Sequence, residues 1–304
     1  MITTRADRRP RRVRKSLGEI VFDRLNEAAL GLLALSMLYP FWYLLAVSLA
    51  DAQRVALSKV YLWPPIISLE SYKNALGTRY IYYSFGWTIL RAVAGTLIAL
   101  ALGFNMAYVL GKKYYPNRTF WTATLVFTMF FSGGIIPEYL LIKDLGLIDS
   151  VWSLILPGAI SAYNIVIMRN YLTTLPDSLE ESAKLDGAND VLILYKIILP
   201  LSMPILATVG LWTAVSHWNA WFDAMIYIRT TEKQTLQLIL RRVVLLGDAS
   251  IIPLSGEQVT GNPQMNTETI KAATVMVATI PILLVYPFIQ KYFVKGVMIG
   301  SLKG

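Results

Sequence analysis

Six long apolar runs, each bounded by charges or helix breakers, recur along the chain. Crossing a hydrocarbon core of roughly 30 Å takes about 20 mostly apolar residues. The runs therefore predict membrane helices over 28–50, 84–110, 119–137, 151–169, 201–228 and 272–293. Arg91 interrupts the second. Beyond the Gly133-Gly134 pair, Pro137 is expected to bend or end the third. Pro157 lies in the fourth, and Pro281 and Pro287 lie in the sixth. Proline is tolerable in a membrane helix where neighbours satisfy the freed carbonyl. The pattern reads as an all-α membrane protein.

Composition agrees with that pattern. The chain has 304 residues, 55% apolar and 15% charged, with mean hydropathy +0.51, whereas globular domains carry roughly 25% charged residues. A soluble enzyme is excluded on these grounds. No cysteine is present and His217 is the single histidine, which excludes disulfides, thiolate metal sites, a cysteine nucleophile and two-histidine zinc motifs.

The net charge of +9 would suggest a nucleic-acid partner in a soluble protein, but its distribution gives another account. Cytoplasmic flanks of membrane helices carry the excess of Lys and Arg. With the N-terminus inside, 17 of the 28 basic residues fall on the cytoplasmic side, ten on the outer side, and Arg91 within a span. The charge thus sets topology: both termini are expected in the cytoplasm, and no nucleic-acid partner is expected. Residues 1–26 read as a basic tail, Arg5 to Lys15 lying near anionic headgroups. The membrane domain covers 27–294, and 295–304 form a second tail. Ala50-Asp51-Ala52 resembles a signal-cleavage site, but the 23-residue run before it contains Pro40 and exceeds the roughly 7–15 residues of a signal h-region. It reads as a retained first helix.

The cytoplasmic stretch between the fourth and fifth spans, 170–200, carries well-specified local chemistry. Asp177 or Ser178 can cap a short helix, with Glu180 or Glu181 as reciprocal capping partner. Leu179, Ala183 and Asp186 share one face, as do Ser182 and Leu185. Gly187 falls where a helix needs a left-handed terminator. Asn189 or Asp190 can cap a second helix through Lys196, and Pro200 and Pro204 flank the start of the fifth span. By local chemistry alone the stretch is either a rigid protrusion dependent on Gly187 or an ordinary connecting loop.

These residues resemble a known family. Glu181-Ser182-Ala183, then Gly187, Ile197 and Leu199-Pro200 at the family spacing, match the EAA loop of ABC importer permeases. Ser182 stands where the family usually has alanine; it adds a hydroxyl without bulk and is expected to be tolerated. The surrounding residues look like the carbohydrate-uptake class, as in the six-span maltose permease subunit. Phe131-Ser132-Gly133-Gly134 through Leu145-Gly146-Leu147, His217-Trp218-Asn219 and the tail from Lys295-Gly296 to Gly304 are similar to polysaccharide and alginate-type oligosaccharide permeases.

The resemblance implies the type I ABC importer permease fold, six membrane helices with a cytoplasmic coupling loop over 176–200, in a bacterial inner membrane. The loop would dock into an ATP-binding subunit through Glu180, Glu181, Ser182, Ala183, Asp186, Gly187 and Ala188. The tail, through Gly300, Lys303 and Gly304, would approach the same subunits. Implied partners are two ATP-binding subunits, a second homologous permease subunit forming a heterodimer, and an extracytoplasmic solute-binding protein. The outer segment 229–271, turn-rich at Pro253, Gly256 and Gly261-Asn262-Pro263, either reaches that binding protein or is an ordinary outer loop. The implied cargo is an oligosaccharide, acidic polysaccharide fragments included, moved by alternating access.

No G-x-x-x-x-G-K-[ST] stretch is present, so the chain is expected to bind no cofactor itself. ATP and Mg would sit in the partner subunits, and the chain is not expected to be an enzyme. Polar groups inside spans are costly in lipid and point to a transport path. Tyr163 and Asn164 of the fourth span, with Trp212, His217, Trp218, Asn219 and Trp221 of the fifth, form the candidate substrate path. Ser161, Ser216 and Asp223 lie beside them. Aromatic faces stack on sugar rings, and amide or imidazole groups bond hydroxyls; tryptophan and tyrosine also gather at membrane interfaces. His217 reads as a packed histidine, and Arg91 as either snorkelling or paired. The rival readings, a secondary transporter or a membrane enzyme without an ATP-binding partner, need membrane carboxylates or a clustered reactive site. The spans hold almost no acid besides Asp223, and helix capping accounts for the cluster from Asp177 to Asp190.

Overall fold

The computed structural model describes residues 16–51, 62–77, 79–245 and 268–284. The two tails beyond them, with Gly300, Lys303 and Gly304, and residues 246–267 of the outer segment lie outside the described residues. Helix α1 (Leu17–Ser48) starts ahead of the predicted span because Ser16 and Glu19 form a capping box, which satisfies two orphan donors reciprocally. Residues 17–26, assigned to the basic tail from sequence, are therefore helical. Only Ala46, Val47 and Ser48 of α1 are buried. A helix apolar on all sides with so little packed against it is one solvated by lipid or by another chain.

After α2 (Glu70–Gly77), α3 (Arg79–Gly111) is the central post of the molecule. Its buried positions include Ser84, Thr88, Ala92, Gly95, Ala99, Gly103 and Ala107, small residues recurring every three or four positions along one face. Such a stripe lets neighbouring helix backbones approach closely. A Cβ on Gly103 would stand 2.8 Å from Met168 Cε, and one on Gly95 would overlap the His217 ring. From the facing helix, Gly210 packs against Leu100 of α3 in the same manner.

Three predicted spans are broken. The third divides into α4 (Arg118–Phe130) and α5 (Ile135–Asp144), bent by 109°. The break is at the glycine pair rather than at Pro137: Gly134 takes φ +83°, whereas Pro137 sits in the first turn of α5, where its missing N–H costs nothing. The fourth divides into α6 (Trp152–Ile155) and α7 (Ala162–Leu172), because Pro157 and Gly158 stop the helix and Ser161 caps the next one by accepting from Asn164 N at 3.3 Å. The fifth is α11 (Met203–Asn219), an extended Ala220, and α12 (Phe222–Tyr227).

Between α7 and α11 come α8 (Ser178–Leu185), α9 (Asp190–Ile193) running into a π-helical turn over Leu194–Ile198, and α10 (Leu199–Leu201). The chain then bends by 77° into α11. Helix α13 (Leu236–Leu245) packs with the helical segment 268–284 against Ala75 and Ile81. Among the described residues, α1 and α3 are each long and apolar enough to cross a membrane, and two bent pairs also qualify if each is one span.

Candidate functional site

Two features stand at different levels of α3. The first is a cavity of 760 Å³ lined by α3, α5, α6, α7, α11 and α12. Its volume falls within the roughly 300–1,000 Å³ of small-molecule sites. The helix breaks make it polar. The turn at Pro157-Gly158 brings Ser153, Ser161, Tyr163 and Asn164 to one wall, and α11 contributes Trp212, Thr213, Ser216 and His217 to another. Asn164 Nδ2 donates to Thr213 Oγ1 at 3.3 Å, joining the two walls.

Arg91 enters from α3, with only 2% of its surface exposed. Its guanidinium forms a two-pronged ion pair with Asp223, Nη1 donating to Oδ1 at 3.1 Å and Nη2 to Oδ2. Nη1 also donates to the Ala220 carbonyl at 3.3 Å. Ala220 is the residue at which the fifth span leaves helical geometry, so Arg91 supplies a donor to backbone that the break has deprived of one. Asp223 in turn accepts from Ala224 N at 2.8 Å at the start of α12. Arg91 is thus paired rather than snorkelling, and the pair holds the broken span together.

Of the candidate path residues, Tyr163, Asn164, Trp212 and His217 line the cavity; Trp218, Asn219 and Trp221 do not. A helix turns about 100° per residue, so Trp218 and Asn219, on the other side of His217 from Ser216, face elsewhere. Trp218 packs edge-on against Phe85, and Trp221 lies under the Arg241 guanidinium, 3.7 Å from its ring centroid. His217 is 8% exposed and rests on Gly95. Glu138 and Tyr227 also line the cavity and were missed from sequence. The signal for Glu138 was available: an acid four residues past the glycine pair.

The second feature is the protrusion. Helix α8 ends in a Schellman arrangement: Ala188 N donates to Ala183 O at 2.9 Å and Gly187 N to Lys184 O at 3.0 Å. Gly187 adopts φ +83°, a conformation in which side chains other than glycine are strained. Asn189 Oδ1 caps α9 by accepting from Leu192 N at 2.8 Å. The expected cap of α8 is absent: Asp177 stands at the N-cap position, but its side chain accepts no hydrogen bond from the backbone of the first turn. Lysines compete for its acids. Lys113 pairs with Asp177 at 2.8 Å, and Lys112 pairs with Glu180. The Lys113 hydrogen bond and charge hold the Asp177 carboxyl below the usual carboxylate range, and Asp177 raises the Lys113 ammonium in return.

The faces of α8 then separate. Glu180 and Ala183 turn inward, Ala183 joining a core cluster with Tyr108, Leu110, Met168 and Ile193. Leu179, Glu181, Ser182, Leu185 and Asp186 are exposed, Leu185 at 90%. Glu180, grouped with the coupling residues from sequence, belongs to the inward set.

Residues 118–299 match the family of binding-protein-dependent transport system inner membrane components. The chain is 43% identical over 284 residues to the polygalacturonan/rhamnogalacturonan transport system permease protein YtcP of Bacillus subtilis (strain 168), covering 93% of this chain and 99% of that protein. It is 41% identical, over 93% of this chain and 95% of the relative, to the protein LplC of the same organism. A crystal structure of a bacterial ABC transporter involved in the import of the acidic polysaccharide alginate contains a chain 34% identical, with a TM-score of 0.83 over 92% of this chain and 99% of that one.

Proposed function

The chain belongs to the family of binding-protein-dependent transport system inner membrane components, and on that premise we propose that it is one permease subunit of an ATP-driven importer of oligosaccharides. The observation that carries the reading is the polar cavity of 760 Å³ built inside otherwise apolar helices. Polar groups are costly inside membrane-spanning segments, and where they are retained they mark substrate pathways. Its lining of hydroxyls, one amide, an imidazole, an indole and tyrosines, with the Glu138 carboxylate and the Arg91–Asp223 pair, suits a saccharide, whose hydroxyls need donors and acceptors and whose ring faces stack on aromatics. The kinship with a polygalacturonan/rhamnogalacturonan permease and with a chain of an alginate importer favours fragments of acidic polysaccharides.

In this reading the chain crosses the inner membrane six times with both termini in the cytoplasm, where α8 and α9 form the coupling loop. It pairs with a second, homologous permease subunit. Two ATP-binding subunits hold ATP and Mg, and a solute-binding protein delivers the sugar from outside. The exposed face of α8, with Glu181, Ser182, Leu185 and Asp186, fits a groove on an ATP-binding subunit. Gly187 and its Schellman turn keep the helix short and stiff, so that closure of the ATP-binding subunits displaces it as a unit. Alternating access at the cavity follows from that displacement.

The test is reconstitution of all subunits in proteoliposomes with oligogalacturonides as cargo. Uptake is expected to require ATP, the binding protein and the ATP-binding subunits. Glu181→Lys, which places a cation on the docking face, is expected to abolish uptake while membrane insertion survives. Uptake without the ATP-binding subunits, or substrate-stimulated ATPase left normal by Glu181→Lys, overturns the reading.

A further inference from the structure

Helix α8 is fastened to α3 by charges that its docking role does not require. Lys112 and Lys113 follow directly on α3, and each meets an acid of α8 one helical turn apart, Glu180 and Asp177. The two pairs are not equivalent. Lys113 and Asp177 have side chains 82% and 73% exposed, whereas Lys112 and Glu180 are 13% and 21% exposed. Exposed pairs are screened by salt and contribute little, and partly buried ones are screened much less. Lys112 is further held by the Tyr108 ring, with Nζ 3.9 Å from its centroid. The end of α3 is itself fixed, because Arg169 of α7 donates from Nε to the Leu110 carbonyl at 3.0 Å. At the other end of α8, Lys184 pairs with Asp190 across the Gly187 turn at 3.1 Å, in solvent.

The other functional residues of α3 are Arg91 and Gly95, both in the cavity wall or against it. At roughly 1.5 Å of rise per residue, about 30 Å of unbroken helix separates Arg91 from Lys112. Helices α7 (from Tyr163 to Leu172) and α11 (from Met203 to His217) also run unbroken between the protrusion side and the cavity walls, but over shorter lengths than α3.

We propose that Lys112 is a positioning residue: its pair with Glu180 makes α8 and α3 one rigid body, so that displacement of the protrusion reaches the cavity through α3. The proposal rests on the permease reading, and it divides the acids of the protrusion into two jobs. Glu181 faces the partner and Glu180 faces the strut.

Lys112→Glu and Glu180→Lys, each alone, are expected to lower oligosaccharide uptake per ATP hydrolysed by roughly tenfold or more, within the 5- to 150-fold usual for coupling between sites. The exchanged pair, Lys112→Glu with Glu180→Lys, is expected to recover most of it. Recovery by exchange is a readout that general damage to the fold would not give. Because the chain contains no cysteine, cysteines at 112 and 180 can also be bridged by a short bismaleimide. A rigid strut predicts that the bridged complex still takes up sugar with ATP. Loss of uptake on bridging means that the two residues separate during the cycle and overturns the proposal, as does an exchanged pair that assembles at wild-type level but stays as uncoupled as the single variants. Failure of the wild-type complex to show any ATP-dependent uptake would instead overturn the permease reading.

Discussion

Helix α3 carries a cation at each of two levels, and in each case the partner acid comes from a distant segment. Arg91 meets Asp223 in the cavity wall, and Lys112 meets Glu180 at the protrusion. The chemistry of each cation suits its surroundings. Arginine, always charged and forked, binds Asp223 in two prongs and still reaches the Ala220 carbonyl, a geometry a lysine could not reproduce. Lysine, a single point charge on a flexible stem, meets Glu180 while its Nζ stays over the Tyr108 ring. The cavity pair therefore defines local structure by hydrogen bonding a broken helix. The protrusion pair joins two intact helices, and its removal leaves α8 its Schellman turn and both helices their packed faces.

The difference is broken most forcefully at the cavity. Arg91→Ala leaves Asp223 partly buried without its cation, and loss of one partner of a buried pair costs about 3–5 kcal/mol. The expected outcome is a large drop in the thermal unfolding temperature of the detergent-solubilised protein. Adding Asp223→Asn should return part of it, since the uncompensated charge is then gone. If the double variant is as unstable as Arg91→Ala, the Ala220 hydrogen bond rather than the ion pair sets stability at this level.

The same contrast explains what was legible in the sequence. The protrusion is written locally: Gly187, Asn189 and the EAA spacing all lie between Glu181 and Pro200, and the Schellman turn and the α9 cap follow from residue types alone. Its expected N-terminal cap was misjudged because the competing lysines, 64 and 68 residues away in sequence, are invisible to a local motif. The cavity is written non-locally. Arg91 and Asp223 are 132 residues apart, so the choice between snorkelling and pairing stayed open. The breaks that open the cavity walls were only half legible. Pro157 and the glycine pair were visible as breakers, but which residue ends a helix depends on the available caps, as Ser161 shows for α7. One non-local signal was present and unused: small residues spaced about four apart along 84–107 mark the close-packed face of α3, and with it the position of His217.

A smaller effect is expected at Asp149, beyond the cavity end of the molecule. Its Oδ1 accepts from the Arg229 and Thr230 amides at 3.0 and 2.9 Å, and its Oδ2 accepts from the Thr230 hydroxyl and the Lys233 ammonium at 2.7 and 2.8 Å. Asp149 N donates to the carbonyl of Tyr227, a cavity residue, at 2.9 Å. Burial alone would raise this carboxyl, but the hydrogen bonds from Lys233, Thr230 and Arg229 outweigh it and hold it well below the usual carboxylate range. A lowered folded value means that the stabilisation is complete above the unfolded carboxyl value of about 3.9 and is lost as pH falls through the folded one. Asp149→Asn should cost about 1.5–3 kcal/mol at neutral pH, the usual weight of hydrogen bonds to a charged group. It should also flatten the acid side of the stability profile. Hydrogen exchange of the 229–233 amides measures both; an unchanged acid limb would mean that other carboxyls set it.

The least effect is expected from Lys113→Ala, and it sharpens the comparison most cleanly because its neighbour is the control. Lys113 and Asp177 repeat the charges and the helix pairing of Lys112 and Glu180 one turn away, but both side chains stand in solvent. Water and salt screen such a pair, and the entropy of holding two mobile side chains together offsets the remaining attraction. Lys113→Ala should leave the unfolding temperature and the uptake per ATP unchanged. Raising ionic strength should mimic that substitution, while leaving the consequences of Lys112→Ala in place. A loss of coupling from Lys113→Ala equal to that from Lys112→Ala would show that total charge at the end of α3, rather than burial of one pair, fastens the protrusion.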